Sequence, residues 1–560
     1  MNQHAGHAGI DPITLEVVRS KVEGIANEMQ STLLRSSFST VVKEGLDASA
    51  SLFTLEGETL AQALAIPIHL ATLIPIMNTF IKRFPAQDMH EGDLYIMNDP
   101  YLGGTHLPDI ALVMPVFHDG RLLAFSAAMT HHQDVGGMSP GSVPPNASEI
   151  YQEGIRIPPL KLRDRGVFND TLLEMLKLNV RVADMFMGDL GAQIAACTVG
   201  ARRLGELAQR YGYDHLRTLF AELLNRSETL TRHALAEIPN GTYRYVDFLD
   251  NDGVELDTPV RIEIAVTIQD GTMHCDFEGT GPQTRGPFNA VPSGSQAAAY
   301  FAVRALTDPT IATSGGCFRP VTLHLPKGTL VNPVEPAPVN SRTATIKRIT
   351  SVIIGALKDA MPHKVPADGS SELHVLMFGG QWASGKRFVV GEFTAGGSGG
   401  GPRKDGVDVI ETDGSNCMNL PVEALELEAP IRVHRMALRP DSGGAGRYRG
   451  GLGCVREFEF LEGEVVLTHR GERHFHPAQG SQGGGDGACS VSRIVHGDGS
   501  EDVVRSKLLT TLKAGDRLIV ETAGGGGYGN PMEREREAII EDVRNGKVSE
   551  AAARQVYGLA

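Results

Sequence analysis

The chain has 560 residues, too many for one ordinary hydrophobic core, and its 41% apolar content is enough to fill several domains. A net charge of −15 argues against nonspecific nucleic-acid binding and against an anionic membrane surface. The six cysteines, at 197, 275, 317, 417, 454 and 489, are scattered with no Cys-x-x-Cys, which fits reduced, mostly buried thiols in a cytoplasmic protein.

Residues 1–10 read as a mobile tail with solvated His4 and His7, and without the basic and apolar regions of a secretory signal. Asp11-Pro12 then opens a helix, Asp as N-cap and Pro at the first helical position. Leu15, Val18, Val22, Ile25, Met29 and Leu33 recur at spacings of three and four, so one face is buried through about Arg35. A hairpin follows, 49–55 and 58–64 around Glu56-Gly57, with Asp47 just before its first strand. The uncharged apolar-rich run 59–81 carries Gln62, Pro67, His69, Pro75 and Asn78, so it reads as core rather than a membrane span. His69 is read as the start of a helix to Phe84, kinked at Pro75, and as a satisfied buried histidine rather than a ligand.

The densest chemistry lies between Asp99 and Asp134, where Asp99, His106, Asp109, His131, His132 and Asp134 surround one hairpin. Segments 110–117 and 122–130 are apolar, and HDGR between them carries the Asp-Gly turn signal. With Asp119 and Gly120 as the loop residues, Asp109 faces Thr130 and His131 lies one residue on. His106, three residues before Asp109, is near enough for a bent segment to aim both at one point. Ligands from the two open ends of a hairpin then meet around one ion. Mixed imidazole and carboxylate donors suit Zn, Mn or Fe. The competing reading is a loop ordered by hydrogen bonds alone. In the following polar loop, Glu153 and Arg156 are candidates for substrate contact or for a salt bridge.

Residues 170–236 read as a helical block. From Gly241 the pattern turns to strands (YRYVDFL, VRIEIAVTI, MHCDFEG), with helices at SQAAAYFAVRALT and TATIKRITSVIIGALKDAM. Beyond His363 short strands alternate with glycine turns as far as Tyr528, and two charged helices close the chain. Glycine, at 65 residues, is well above the usual share and clusters in 396–401, 443–453, 483–487 and 524–529. We read these runs as tight turns and closely approaching backbone rather than linkers or anion cradles. GQWASGKR, 380–387, resembles a phosphate-binding loop, but Arg387 stands where a hydroxyl is needed and the flanks read as a hairpin. The G-x-S-x-G matches at Ser139 and Ser398 lack the strand-to-helix context of a nucleophile elbow.

The fold class expected is α+β: an N-terminal α/β layered region with the metal site (1–165), a helical block (166–240), an α+β region (241–365), a glycine-rich β domain (366–530) and C-terminal helices (531–560).

NDPYLGGTHLPDI, HHQDVGG, EIYQEGIRIPP, NCMNLPVEALE and TAGGGGYGNP together, in order across nearly the whole chain, resemble the hydantoinase B/oxoprolinase family. The resemblance implies a hydrolase of cyclic amides that acts only with a partner, in a hetero-oligomer such as A2B2. The partner is a hydantoinase A-like subunit that holds ATP and Mg and phosphorylates a hydantoin, 5-oxoproline or related lactam. It implies a divalent metal on Asp47, His106, Asp109 and His131. Asp134, His132 and Glu153 then stand as candidates for proton transfer or for supporting the ligands. The alternatives within and beyond the family are a subunit of an acetone or acetophenone carboxylase, and a non-catalytic scaffold for the hydantoinase A-like partner.

Overall fold

A computed structural model describes residues 10–64 and 66–559. His4, His7 and the tail read around them lie outside the described residues. The Pro12–Ser36 helix begins where the sequence places it. The Asp11 carboxylate accepts hydrogen bonds from the amides of Ile13 and Thr14, and Val18, Val22, Met29 and Leu33 face the core.

The N-terminal sheet holds β1 (Ala48–Phe53), β2 (Thr59–Gln62), β3 (Leu94–Met97), β4 (Asp109–His118), β5 (Arg121–His131), β6 (Leu160–Asp164) and β7 (Val167–Phe168). Their order is β2-β1-β5-β4-β3-β6-β7, antiparallel throughout. Because strand side chains alternate between faces, the sheet carries two separate cores. Ile110, Leu112 and Ala128 pack against the Pro12–Ser36 and Ala183–Tyr211 helices. Ala111, Val113, Phe125 and Met129 pack on the other face, under the Leu73–Arg83 helix.

Two expectations for this region are corrected. A β-bulge between Val116 and Phe117 shifts the β4–β5 register by one, so Asp109 pairs with His131 and Ile110 with Thr130. Leu123 is the extra residue; the turn arithmetic fails because a bulge moves every pair beyond it. His69, for its part, does not start a helix. It ends a 3-10 turn, Pro67–His69, and the α-helix starts at Leu73, putting Pro75 in the first turn, where proline costs nothing and causes no kink.

A second sheet, Gly241–Leu249, Val260–Gln269, Thr272–Asp276 and Val321–His324, is covered by the Pro292–Leu306 and Arg342–Ala356 helices. The C-terminal half holds a four-stranded and a five-stranded sheet that share one apolar core. GQWASGKR closes the hairpin of Leu373–Gln381 and Arg387–Ala395, as its flanks suggest.

The glycine runs pack main chain directly against main chain. Gly400 donates to Gly526 O (2.8 Å), Gly525 to Gly451 O (3.0 Å), Gly444 to Gly525 O (2.8 Å) and Gly527 to Gly485 O (2.8 Å). A Cβ at Gly525 would lie 2.1 Å from Ser398 O, and one at Gly450 2.0 Å from Gly525 O, so only glycine fits.

The Arg342–Ala356 helix is buried around almost its whole circumference and joins these layers. Three of its side chains are buried cations, each paired with an acid from a different region: Arg342 with Asp109, Lys347 with Glu411, and Arg348 with Asp247. No helix among the described residues is long and apolar enough to cross a membrane.

Candidate metal centre

Three candidate ligands form one row across the sheet. Asp109 pairs with His131 across β4 and β5, and the amide of His131 donates to Asp47 O (3.0 Å) just ahead of β1. All three therefore lie on adjacent strand ends and project from the same face. His106 curls back over that face through a turn in which the Asp109 amide donates to His106 O (3.1 Å). His69 arrives from the turn that follows β2 and leads into the covering helix.

The side chains converge. His106 Nε2 lies 3.2 Å from Asp109 Oδ1, and His69 Nε2 lies 3.5 Å from Asp47 Oδ1 and 3.7 Å from Asp109 Oδ1. His106, Asp109 and His131 form one compact donor group, and Asp47, His69 and Asp109 another, with donor atoms within 4.8 Å in each. Asp47 Oδ1, both nitrogens of His69, His106 Nε2, Asp109 Oδ1 and His131 Nδ1 are buried without a hydrogen-bond partner. Orphaned polar atoms are costly singly, and a convergent set of lone pairs is the pattern a cation satisfies. The site thus fits a divalent ion on oxygen and imidazole donors.

Neighbouring groups fix the protonation states. His106 Nδ1 donates to Asn340 O (3.0 Å); a carbonyl only accepts, so Nε2 keeps its lone pair toward Asp109. Burial, reinforced by Arg342, lowers His106 to about 4, and burial with His106 beside it lowers His131 well below the usual imidazole range. Both rings are neutral at pH 7, the form that ligates. Burial opposes ionisation of Asp109, but His106 and Arg342 outweigh it and hold its carboxyl well below the usual carboxylate range. Burial raises Asp47 to about 6. Asp109 Oδ2 accepts from both Thr105 Oγ1 and Arg342 Nη2, which leaves Oδ1 to the cluster.

The reading of His69 as a satisfied histidine is corrected: it is 1% exposed, both ring nitrogens are unpaired, and it stands among the candidate ligands. The signal was available in sequence. His69 follows β2 as Asp47 precedes β1, so both lie beyond the open end of one hairpin. Arg342 and Arg470, which also line the cavity, had no such local signal.

The three candidates for proton transfer lie elsewhere. His132, one residue from His131, projects from the opposite face, where Nε2 bonds Gln193 Oε1 (3.0 Å) and the ring packs on Phe186. Asp134 accepts from the amides of Gly136, Gly141 and Arg181 and from the Arg181 side chain. Glu153 accepts from the amides of Val339 and Asn340, bracing the loop whose carbonyl holds His106; burial raises its carboxyl to about 8. Arg156 pairs with Asp99 and Glu335, each at 2.7 Å.

The cavity at the cluster is small, about 30 Å³. A larger cavity of about 790 Å³ adjoins it, sharing Ser415 as a wall residue and lined by Lys364, Arg403 and Lys404 among others.

An antiparallel sheet presenting a buried Asp/His cluster, clamped by a helix from the middle of the chain, defines a protein of mixed α+β architecture with a candidate metal site. The chain belongs to the hydantoinase B/oxoprolinase family, whose sequence model matches residues 11–531. It is 34% identical over 561 residues to the beta chain of the caprolactamase of Pseudomonas jessenii, covering 98% of this chain and 96% of that one. It is 33% identical over 578 residues to a Pseudomonas protein bearing the name of a D-/L-hydantoinase B component, covering 99% and 96%. The crystal structure of the ATP-dependent caprolactamase from Pseudomonas jessenii superposes with a TM-score of 0.92 at 33% identity, covering 98% of this chain and 96% of that one. An acetone carboxylase structure shares the fold, with a TM-score of 0.89 at 21% identity and coverage of 98% and 79%.

Proposed function

We propose that this chain is the metal-bearing B-type component of an ATP-dependent hydrolase that opens a cyclic amide such as a hydantoin, 5-oxoproline or a related lactam. The observation that carries the proposal is the convergence of unpaired donor atoms from Asp47, His69, His106, Asp109 and His131. End-to-end similarity to proteins named for hydantoinase and caprolactamase supports the substrate class.

An amide carbonyl is a poor electrophile at neutral pH. Phosphorylation of its oxygen by an A-like partner supplies a leaving group and an electron-poor carbon. A divalent ion held here supplies Lewis acidity to a carbonyl or to water. The protein's own part is placement. Arg342 and Thr105 hold Asp109, and the Asn340 carbonyl sets the His106 tautomer. The apolar side chains of Val375, Met377 and Phe393 close the pocket against bulk water.

The test is co-purification with an A-like partner, elemental analysis, and ATP-dependent ring opening. Stoichiometric metal lost in His106→Ala and His131→Ala, together with loss of turnover in an intact complex, is the expected result. Metal-free active complex, or turnover retained after Asp109→Ala, would overturn the reading. So would cyclic-amide turnover with ATP by this chain alone. A requirement for bicarbonate without any ring opening would point to a carboxylase instead.

A further inference from the structure

Among the described residues, seven arginines are buried. Arg342, Arg348, Arg449, Arg456, Arg473 and Arg534 each pair with a carboxylate. Arg470 is the exception: among the described residues, no carboxylate lies within ion-pair distance of it. It ends the Glu464–Arg470 strand, 7% exposed, in the wall of the cavity that holds Asp47, His69, His106 and His131. Its hydrogen bonds all leave from Nη1, to Asn340 O (3.2 Å) and Ser341 Oγ (3.3 Å). Nε is buried without a partner.

A buried guanidinium without a counter-charge is costly, because the ion has given up its hydration with nothing to replace it. Arginine does not escape that cost by shedding its proton at neutral pH, even though burial and the nearby Arg342 pull Arg470 down to about 9. Glu153, whose carboxyl acts on Arg470 without an ion-pair contact, has its oxygens taken by the Val339 and Asn340 amides.

The local charge balance points the same way. Asp47 and Asp109 cancel Arg342 and Arg470, and His106 and His131 are neutral. The Lys347–Glu411 pair is internally balanced. The other walls carry no carboxylate or further cation: Leu373, Val375 and Met377 are apolar, and Thr343, Ser415 and Cys417 are polar but uncharged. A divalent cation in the cluster would leave the pocket positive, and its complement is an anion.

We propose that Arg470 is the anion-recognition residue of this pocket, taking the oxyanion of the bound ligand on its free guanidinium edge. This rests on the functional reading above and adds to it the class of ligand group: a phosphoryl or a carboxylate, the two oxyanions that a planar guanidinium fork matches. The phosphoryl group would come from an activated substrate. The carboxylate would come from a substrate side group or a ring-opened product.

The experiment is calorimetric titration of the purified full-length protein with inorganic phosphate and, separately, formate. Wild type is compared with Arg470→Met and Arg470→Lys, with metal content and thermal midpoint measured for each. Wild type should bind at least one of the two anions. Arg470→Met should weaken that binding at least tenfold, with Arg470→Lys intermediate. Metal content should be unchanged, and the Arg470→Met midpoint should hold or rise, because an unpaired buried charge has been removed. Binding of phosphate alone assigns the phosphoryl group, and of formate alone the carboxylate. Equal affinity in wild type and Arg470→Met overturns the proposal, as does no binding of either anion by wild type. A lower midpoint with unchanged anion affinity would show a structural residue and also overturns it. Should Arg470→Met fail to fold, Arg470→Lys and Arg470→Gln carry the comparison. Wild type free of stoichiometric metal that still binds phosphate through Arg470 would sink the metal reading and leave this one standing.

Discussion

Arg342 and Asp109, 233 positions apart in sequence, are joined inside the protein by a hydrogen-bonded ion pair, with side chains 2% and 0% exposed. The pair ties the helix at the centre of the molecule to the first residue of β4. It occupies Oδ2 of the aspartate and leaves Oδ1 facing three histidines and Asp47. Arg342→Met should therefore strand a buried carboxylate, at a cost of about 3–5 kcal/mol. Chemical denaturation reads the stability loss, and elemental analysis the loss of metal that should accompany it.

His69 distinguishes the cluster seen in the structure from the four ligands implied by family resemblance. If it is a full participant, His69→Ala should cut metal occupancy as severely as His106→Ala, by about tenfold or more in affinity. His132→Ala, on the other face of β5, should leave metal content unchanged while lowering thermal stability through the lost Gln193 and Phe186 contacts. Metal retained in full by His69→Ala would remove it from the site.

The contrast between these histidines shows what the sequence did and did not reveal. The hairpin was legible from its Asp-Gly turn and apolar flanks, and the convergence of His106, Asp109 and His131 followed from it. The register was off by one because a bulge at Leu123 has no sequence signature as strong as a turn. The opposite facing of His131 and His132 follows from strand alternation alone. His69 stands in an uncharged, apolar-rich run that reads as the start of a helix, and a lone histidine in such a run reads as a satisfied buried residue. Arg342 and Arg470 approach from more than two hundred and three hundred residues downstream of the hairpin, and such contacts depend on layer packing that no local pattern encodes.

Acid should weaken the fold through Asp247. Burial opposes its ionisation, yet Arg348 and Arg473 hold its carboxyl at about 2. A carboxyl lowered on folding stabilises above its unfolded pKa, and that contribution is lost as pH falls toward the folded value. The window runs from about pH 4 to about pH 2, and the contribution is about 2 kcal/mol. Urea melts across that range should show a flatter pH dependence for Asp247→Asn than for wild type.

Glycine substitutions should divide sharply by position. Gly525→Ala places a methyl 2.1 Å from a carbonyl oxygen and should destabilise by about 1–3 kcal/mol or prevent folding. Gly205→Ala, in the Ala183–Tyr211 helix with open space around the new methyl, should stabilise by about 0.5–1 kcal/mol. Thermal midpoints of the two variants measure both.

Asp47, His131 and Asp109 occupy neighbouring strand ends, so their separation is set by main-chain ladders rather than by side-chain choice. A sheet holds adjacent strands about 4.8 Å apart whatever binds at its edge. An ion arriving there meets donors already ordered by folding and has little conformational entropy left to remove. The protein should then keep its secondary structure and most of its melting temperature after chelation, unlike small domains whose folding is their metal binding. Affinity in such a site is governed by desolvation and donor chemistry, and ions can exchange without the chain coming apart.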